Sequence, residues 1–178
     1  MKQKTKILKM LTAIVMALSF ILITSDNVYA ADLKNNSAFM FKLSDPKSKF
    51  NNGATVSSHQ KAFDTAFSKI NATSSKINLV RSGNGPTIRT RSTNSKESWY
   101  GLMEGGAKGS LLSINIRTTS KDKFSQANYN KTALHEMGHA LGLKHQSSST
   151  NSLMKQGKYS YGDYTSLDKN NLKYKYGK

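Results

Sequence analysis

The chain has 178 residues, 27 Lys and Arg against 10 Asp and Glu, and no cysteine, for a net charge of +17. The absence of cysteine excludes a disulfide framework and a lipid-attachment cysteine. The positive charges are spread along the whole chain and accompany no recognised nucleic-acid motif, which argues against a dedicated nucleic-acid module.

The first nine residues hold four lysines, and residues 10–23 form an apolar run whose only polar members are Thr12 and Ser19. Val28-Tyr29-Ala30 then places small residues three before and one before a cut. This pattern predicts a signal peptide over residues 1–30, cleaved after Ala30. A membrane anchor is the alternative, but the run falls short of the ~20 apolar residues needed to span a bilayer. Four basic residues and one acidic residue lie in that leader, so residues 31–178 carry a net +14 on 148 residues, enough for one core without staples.

Ala38 to Leu43 reads as a first strand, ended by Asp45-Pro46. It begins so soon after the cut that no room is left for an inhibitory pro-domain. Ser57 and Gln60 have the spacing of a capping box, and Ala62, Phe63, Ala66, Phe67 and Ile70 then recur at helical period, predicting a long amphipathic helix. Lys76 to Arg81 reads as a second strand, followed by a turn at Gly83-Asn84-Gly85-Pro86. Thr87 to Thr93 and Ser98 to Met103 are weaker strand candidates, and Ser110 to Arg117 alternates well enough to be another.

The next segment, His135-Glu136-Met137-Gly138-His139-Ala140-Leu141-Gly142-Leu143-Lys144-His145, fills every fixed position of H-E-x-x-H-x-x-G-x-x-H. His135 and His139 sit one helical turn apart and offer two imidazoles to one ion. A catalytic zinc wants a third protein ligand and a position left open for water. His145 is the candidate, yet a continuous helix would carry it about 15 Å along the axis from His135. The chain must turn, and Gly142 is the residue that takes positive φ without penalty. Glu136 is placed to accept a proton from the water such a zinc would carry, so the pattern points to metal-assisted hydrolysis of an amide.

These residues resemble the metzincin clan of zinc endopeptidases and, within it, the matrixins. Asn151-Ser152-Leu153-Met154 follows where such proteins place a methionine turn, which makes Met154 an apolar floor under the imidazoles rather than a ligand. Thr165 to Gly177 resembles the last matrixin helix, with Thr165 or Ser166 as N-cap and Asp168 at its acidic position. The resemblance implies a zincin-like α+β fold: a twisted, mostly parallel sheet of about five strands on a long helix and the zinc helix, with a small C-terminal subdomain ending in a helix. It also implies that the strand before the zinc helix is the sheet edge that pairs with substrate, through Leu111, Leu112, Ser113 and Ile114. A core strand with no substrate role is the other reading of those residues. Tyr159, Tyr161 and Tyr164 fall where the family walls the pocket for the residue after the scissile bond, one of them a possible oxyanion donor, or else they simply pack.

The chain departs from the matrixin wording at Gln146, where serine is usual, and at Lys155-Gln156, where a tyrosine-proline pair is usual. Only His59 lies outside the motif, which leaves one catalytic zinc and no second, structural one. Ser113 to Thr119 offers no carboxylate where the family binds calcium, which argues against calcium. The expected protein is a secreted monomeric endopeptidase (residues 31–178 as catalytic domain) acting on proteins or peptides. It has no membrane span after cleavage, and its lysine-led leader and Lys/Asn/Ser-rich composition suggest a Gram-positive source. A basic residue after the cut is expected to be disfavoured, since the far wall offers tyrosines and no carboxylate. The alternative is a non-catalytic basic zinc-binding module that attaches to anionic cell-wall or host polymers; intact Glu136 argues against it, and the charge then reads as weak polymer adherence accompanying catalysis.

Overall fold

In the computed structural model, residues 31–73, 75–85 and 87–177 are described; the leader assigned to residues 1–30 lies outside them. Five strands form one sheet among these residues: β1 (Lys49–Asn52), β2 (Val80–Arg81), β3 (Ile88–Thr93), β4 (Gly101–Gly106) and β5 (Gly109–Asn115). Their order is β2-β1-β3-β5-β4. β1 runs parallel to β2 and β3, and β3 parallel to β5; β4 alone is antiparallel, folded back along β5 with Met103 opposite Leu112. Along β3 the period of two is plain, with Ile88 and Thr90 buried and Arg89 and Arg91 turned outward.

One face of this sheet carries α1 (Ser57–Asn71) and α3 (Gln126–Ala140), which pack side by side, with α3 also against β4 and β5. A short helix, α2 (Ile116–Lys121), joins β5 to α3, and α4 (Ser166–Tyr176) closes the chain. The core between the layers is built from Phe50, Phe63, Ile70, Ile88, Leu112, Ile114, Leu134 and Met137, all fully buried. Each such side chain contributes roughly 1.5–3 kcal/mol by leaving water. This is the α+β, mostly parallel, five-stranded arrangement expected.

Several local expectations change. Ala38 to Leu43 is not a strand of the sheet. After a 3-10 turn at Asn35–Ala38, its backbone bonds go elsewhere: Met40 N–H donates to Gly142 O at 2.7 Å, Lys144 N–H to Ala38 O at 2.8 Å, and Leu43 N–H to the Tyr176 hydroxyl at 2.8 Å. It is a strap that clasps the end of α3 and α4. Of Lys76 to Arg81 only β2 pairs with β1, because Lys76 N–H donates to Gly177 O and Asn78 N–H to Pro46 O. The capping box at Ser57 does not form: Val56 is the N-cap, and the Gln60 amide donates to Ala54 O instead. Reciprocal boxes appear on α3, between Ser125 and Asn128, and on α4, between Thr165 and Asp168. The strand ending at Arg117 stops at Asn115, whose side chain caps α2.

Candidate active site

Helix α3 carries His135, Glu136 and His139 and then ends in a Schellman turn. Gly142 N–H donates to His139 O at 2.8 Å and Leu143 N–H to Gly138 O at 3.0 Å. Gly142 has φ +87°, and a Cβ there would collide with the Phe41 carbonyl of the strap, so both conformation and space require glycine. The reversal swings His145 back to the helix. Its Nε2 lies 3.0 Å from His139 Nε2, which is 3.1 Å from His135 Nε2.

Three imidazole nitrogens this close could hold a single cation. A tetrahedral zinc with Zn–N near 2.0–2.1 Å needs N···N edges of about 3.3 Å, so the triad fits one ion after a small relaxation. The opposite ring nitrogens support the same reading. His135 Nδ1 donates to Leu153 O at 3.1 Å and His139 Nδ1 to Leu143 O at 2.7 Å, which leaves the Nε2 lone pairs facing the common point. Burial holds His139 down to about 4 and His135 well below the usual imidazole range, with the Lys131 ammonium adding to the effect, so the rings are neutral and free to ligate.

Beneath the triad, Met154 is fully buried. A Cβ on Gly138 would lie 2.6 Å from its Sδ, so this glycine is what lets the thioether sit against the ligand helix. The turn is tied down by Asp168, itself 1% exposed, which accepts hydrogen bonds from the Ser152 hydroxyl, Leu153 N–H at 2.9 Å and Thr165 N–H at 3.0 Å. A continuous path therefore runs from Asp168 through Leu153 to His135.

Glu136 faces a cleft of about 780 Å³ that also receives the three histidines, Trp99 to Met103, Lys131 and Gly157. Burial pushes its carboxyl up to about 8, opposed by the Lys131 ammonium. The cleft is bounded by β4 and not by β5. Leu111 to Ile114 lie in β5, hydrogen-bonded to β3 on one side and β4 on the other, with Leu112 and Ile114 in the core. They have no free edge to offer. The free edge is β4, whose Gly101, Leu102 and Met103 line the cleft.

The tyrosines divide. Tyr164 is a packing residue, its hydroxyl donating to Leu134 O at 2.8 Å. Tyr159 and Tyr161 flank a shallow depression with Ser160, beside the main cleft rather than in it.

The sequence of residues 33–174 matches the Matrixin (Peptidase M10) family. The chain belongs to the matrixin family. Among curated proteins none matches it in sequence. Two solved structures of myroilysin share its fold, each at 14% identity, TM-score 0.51 and 74% coverage of this chain, with 92% and 83% of the myroilysin chain covered. Matrixins are metalloproteases, and the family implies zinc at a triad that among the described residues is the sole cluster able to hold a metal.

Three features of this matrixin site were not anticipated. Lys131, one turn before His135 on the same helix face, is 3% exposed and reaches Lys155 O at 2.6 Å and Gly157 O at 3.3 Å. Its i, i+4 relation to a ligand was the available signal. Gln146, the residue in the family's serine position, clamps Leu33 by accepting from its N–H at 2.9 Å and donating to its carbonyl at 2.8 Å. Asn115, fully buried, donates to the carbonyls of Ser95, Glu97 and Trp99 and so shapes the approach to β4.

Proposed function

We propose that the protein is a secreted zinc endopeptidase, with residues 1–30 as signal peptide and residues 31–178 as a monomeric catalytic domain that hydrolyses peptide bonds in proteins or peptides. The observation that carries this reading is the meeting of three Nε2 atoms beside the Glu136 carboxyl in a cleft bounded by an unpaired strand edge.

An extended substrate adds to the free edge of β4 at Gly101 to Met103, its backbone held by strand hydrogen bonds. Zinc, when held by His135, His139 and His145, supplies Lewis acidity toward water and the scissile carbonyl. Glu136 takes a proton from the attacking water and delivers it to the leaving amine. Leu143 and Leu153 hold the ligand rings through their carbonyls, and Met154 supports them from below. The +14 surface gives weak, salt-sensitive adherence to anionic polymers.

The test is zinc content together with casein or gelatin cleavage, with and without a chelator. Cleavage that requires zinc and returns on its readdition is the expected result. A protein that binds zinc but cleaves neither substrate overturns the enzyme reading in favour of a binding module.

A further inference from the structure

Among the described residues Lys131 forms no salt bridge, although the Glu136 carboxyl lies close enough to feel its charge. Every ion pair among the described residues lies elsewhere, between Lys69 or Lys169 and Asp163, Arg81 and Asp64, or Arg91 and Glu104. An ammonium has three protons. Two go to the carbonyls of Lys155 and Gly157, and the remaining close contact, His135 Nδ1 at 3.4 Å, is no acceptor because that nitrogen already donates to Leu153 O. One N–H is left for a ligand, at a residue that lines the cleft.

The surroundings reinforce the sign. Lys155 Nζ lies 4.9 Å and Lys131 Nζ 5.7 Å from the ring centre of Tyr159, and Lys144 also lines the cleft. The one carboxylate there is Glu136, engaged in proton transfer. A substrate whose scissile carbonyl faces Glu136 and the histidines places one flanking side chain in the recess between α3 and the backbone of residues 155–157.

We infer that Lys131 is the specificity-determining residue of this recess and that it selects an aspartate or glutamate directly flanking the scissile bond. A carboxylate there receives a charge-assisted hydrogen bond in a poorly hydrated site, where such bonds are strongest. A lysine or arginine in the same position meets like charge. The inference rests on the endopeptidase reading and adds the class of bond cut.

The experiment uses the zinc-loaded protein and a set of peptides carrying Asp, Glu, Leu or Lys at each position flanking the cut. A control set carries the acidic residue four positions away, which separates the recess from attraction to the general positive surface. At one flanking position, kcat/KM for Asp or Glu is expected to exceed that for Leu about tenfold and for Lys by more. Lys131→Met should lower the acidic-to-leucine ratio about tenfold, and Lys131→Arg should retain the acidic preference. The preference should also persist in high salt, which screens the exposed charges far more than the recess. Cleavage with no acidic preference in the wild type overturns the inference while leaving the endopeptidase reading intact, whether or not the Met variant folds. An acidic preference that survives Lys131→Met overturns it too. Failure to cleave any peptide overturns both.

Discussion

A methyl group placed on Gly101 would stand 2.5 Å from Oε1 of Glu136, 2.8 Å from its Cγ and 2.7 Å from the Thr132 methyl. The backbone of the edge strand thus crosses α3 with nothing between it and the Glu136 carboxyl. Gly101 is needed here for space and not for an unusual backbone angle, since its φ is not among the positive ones. On the proposed reading, the contact brings a substrate strand laid on β4 within reach of that carboxyl.

Gly101→Ala should therefore displace Glu136 or lift β4, without touching a zinc ligand. We expect kcat/KM on a peptide substrate to fall at least tenfold with zinc stoichiometry near one per chain. An alanine variant with wild-type turnover would show that the close approach is incidental.

Replacing the proposed base, Glu136, should cost more. Glu136→Gln keeps the shape of the side chain and abolishes proton acceptance, so turnover should fall at least 10²-fold. Metal content should stay near one zinc per chain. The one remaining histidine, His59, is 1% exposed, with its Nδ1 2.9 Å from Ser92 Oγ, and belongs to no cluster of three potential metal ligands among the described residues. Elemental analysis of the two proteins checks both numbers, and two tightly held zinc ions would contradict the count.

What could be read from the sequence follows the range of the interactions involved. His135, Glu136, His139 and the turn at Gly142 are local, set by one helix and its end, and Thr165 is likewise read from the few residues after it. The sheet edge is not local. β4 is Gly-Leu-Met-Glu-Gly-Gly, too poor in β-branched residues to announce itself, whereas the stronger pattern at Leu111 to Ile114 belongs to an interior strand. Ala38 to Leu43 misled for a related reason: its burial is real, with Ala38 and Leu43 fully buried, but the partner is the ligand loop and not the sheet. Lys131 is not legible in the sequence because a lysine on a helix is ordinarily a solvated one.

Asp168 is linked to His135 through Leu153. Its carboxylate fixes the Ser152–Leu153 backbone, and the Leu153 carbonyl orients His135. Asp168→Asn would set an amide N–H₂ against donors that now share two carboxylate oxygens. Outer-shell losses of this kind typically weaken metal binding 10–100-fold. We expect zinc affinity, measured by competition with a chromophoric chelator, to drop at least tenfold; an unchanged affinity would mean that the ring of His135 is held by packing alone.

The pH dependence of stability should carry the mark of His59. Burial lowers its imidazole from the usual 6.5 to about 4 in the folded chain, where it bonds Ser92 and packs on Tyr129 with ring centres 5.0 Å apart. Between those two values the unfolded chain binds the proton and the folded chain does not, so stability rises with pH across that window. The contribution is fully present above about pH 6.5, is lost progressively on acidification and levels off below about 4. At pH 5 the loss amounts to roughly 2 kcal/mol relative to pH 7. His59→Asn removes the titrating group. In urea unfolding at saturating zinc, which keeps the triad ligated in both proteins, the wild type should lose about that much more stability than the variant between pH 7 and pH 5. Parallel losses in the two proteins would show that the acid sensitivity arises from other groups.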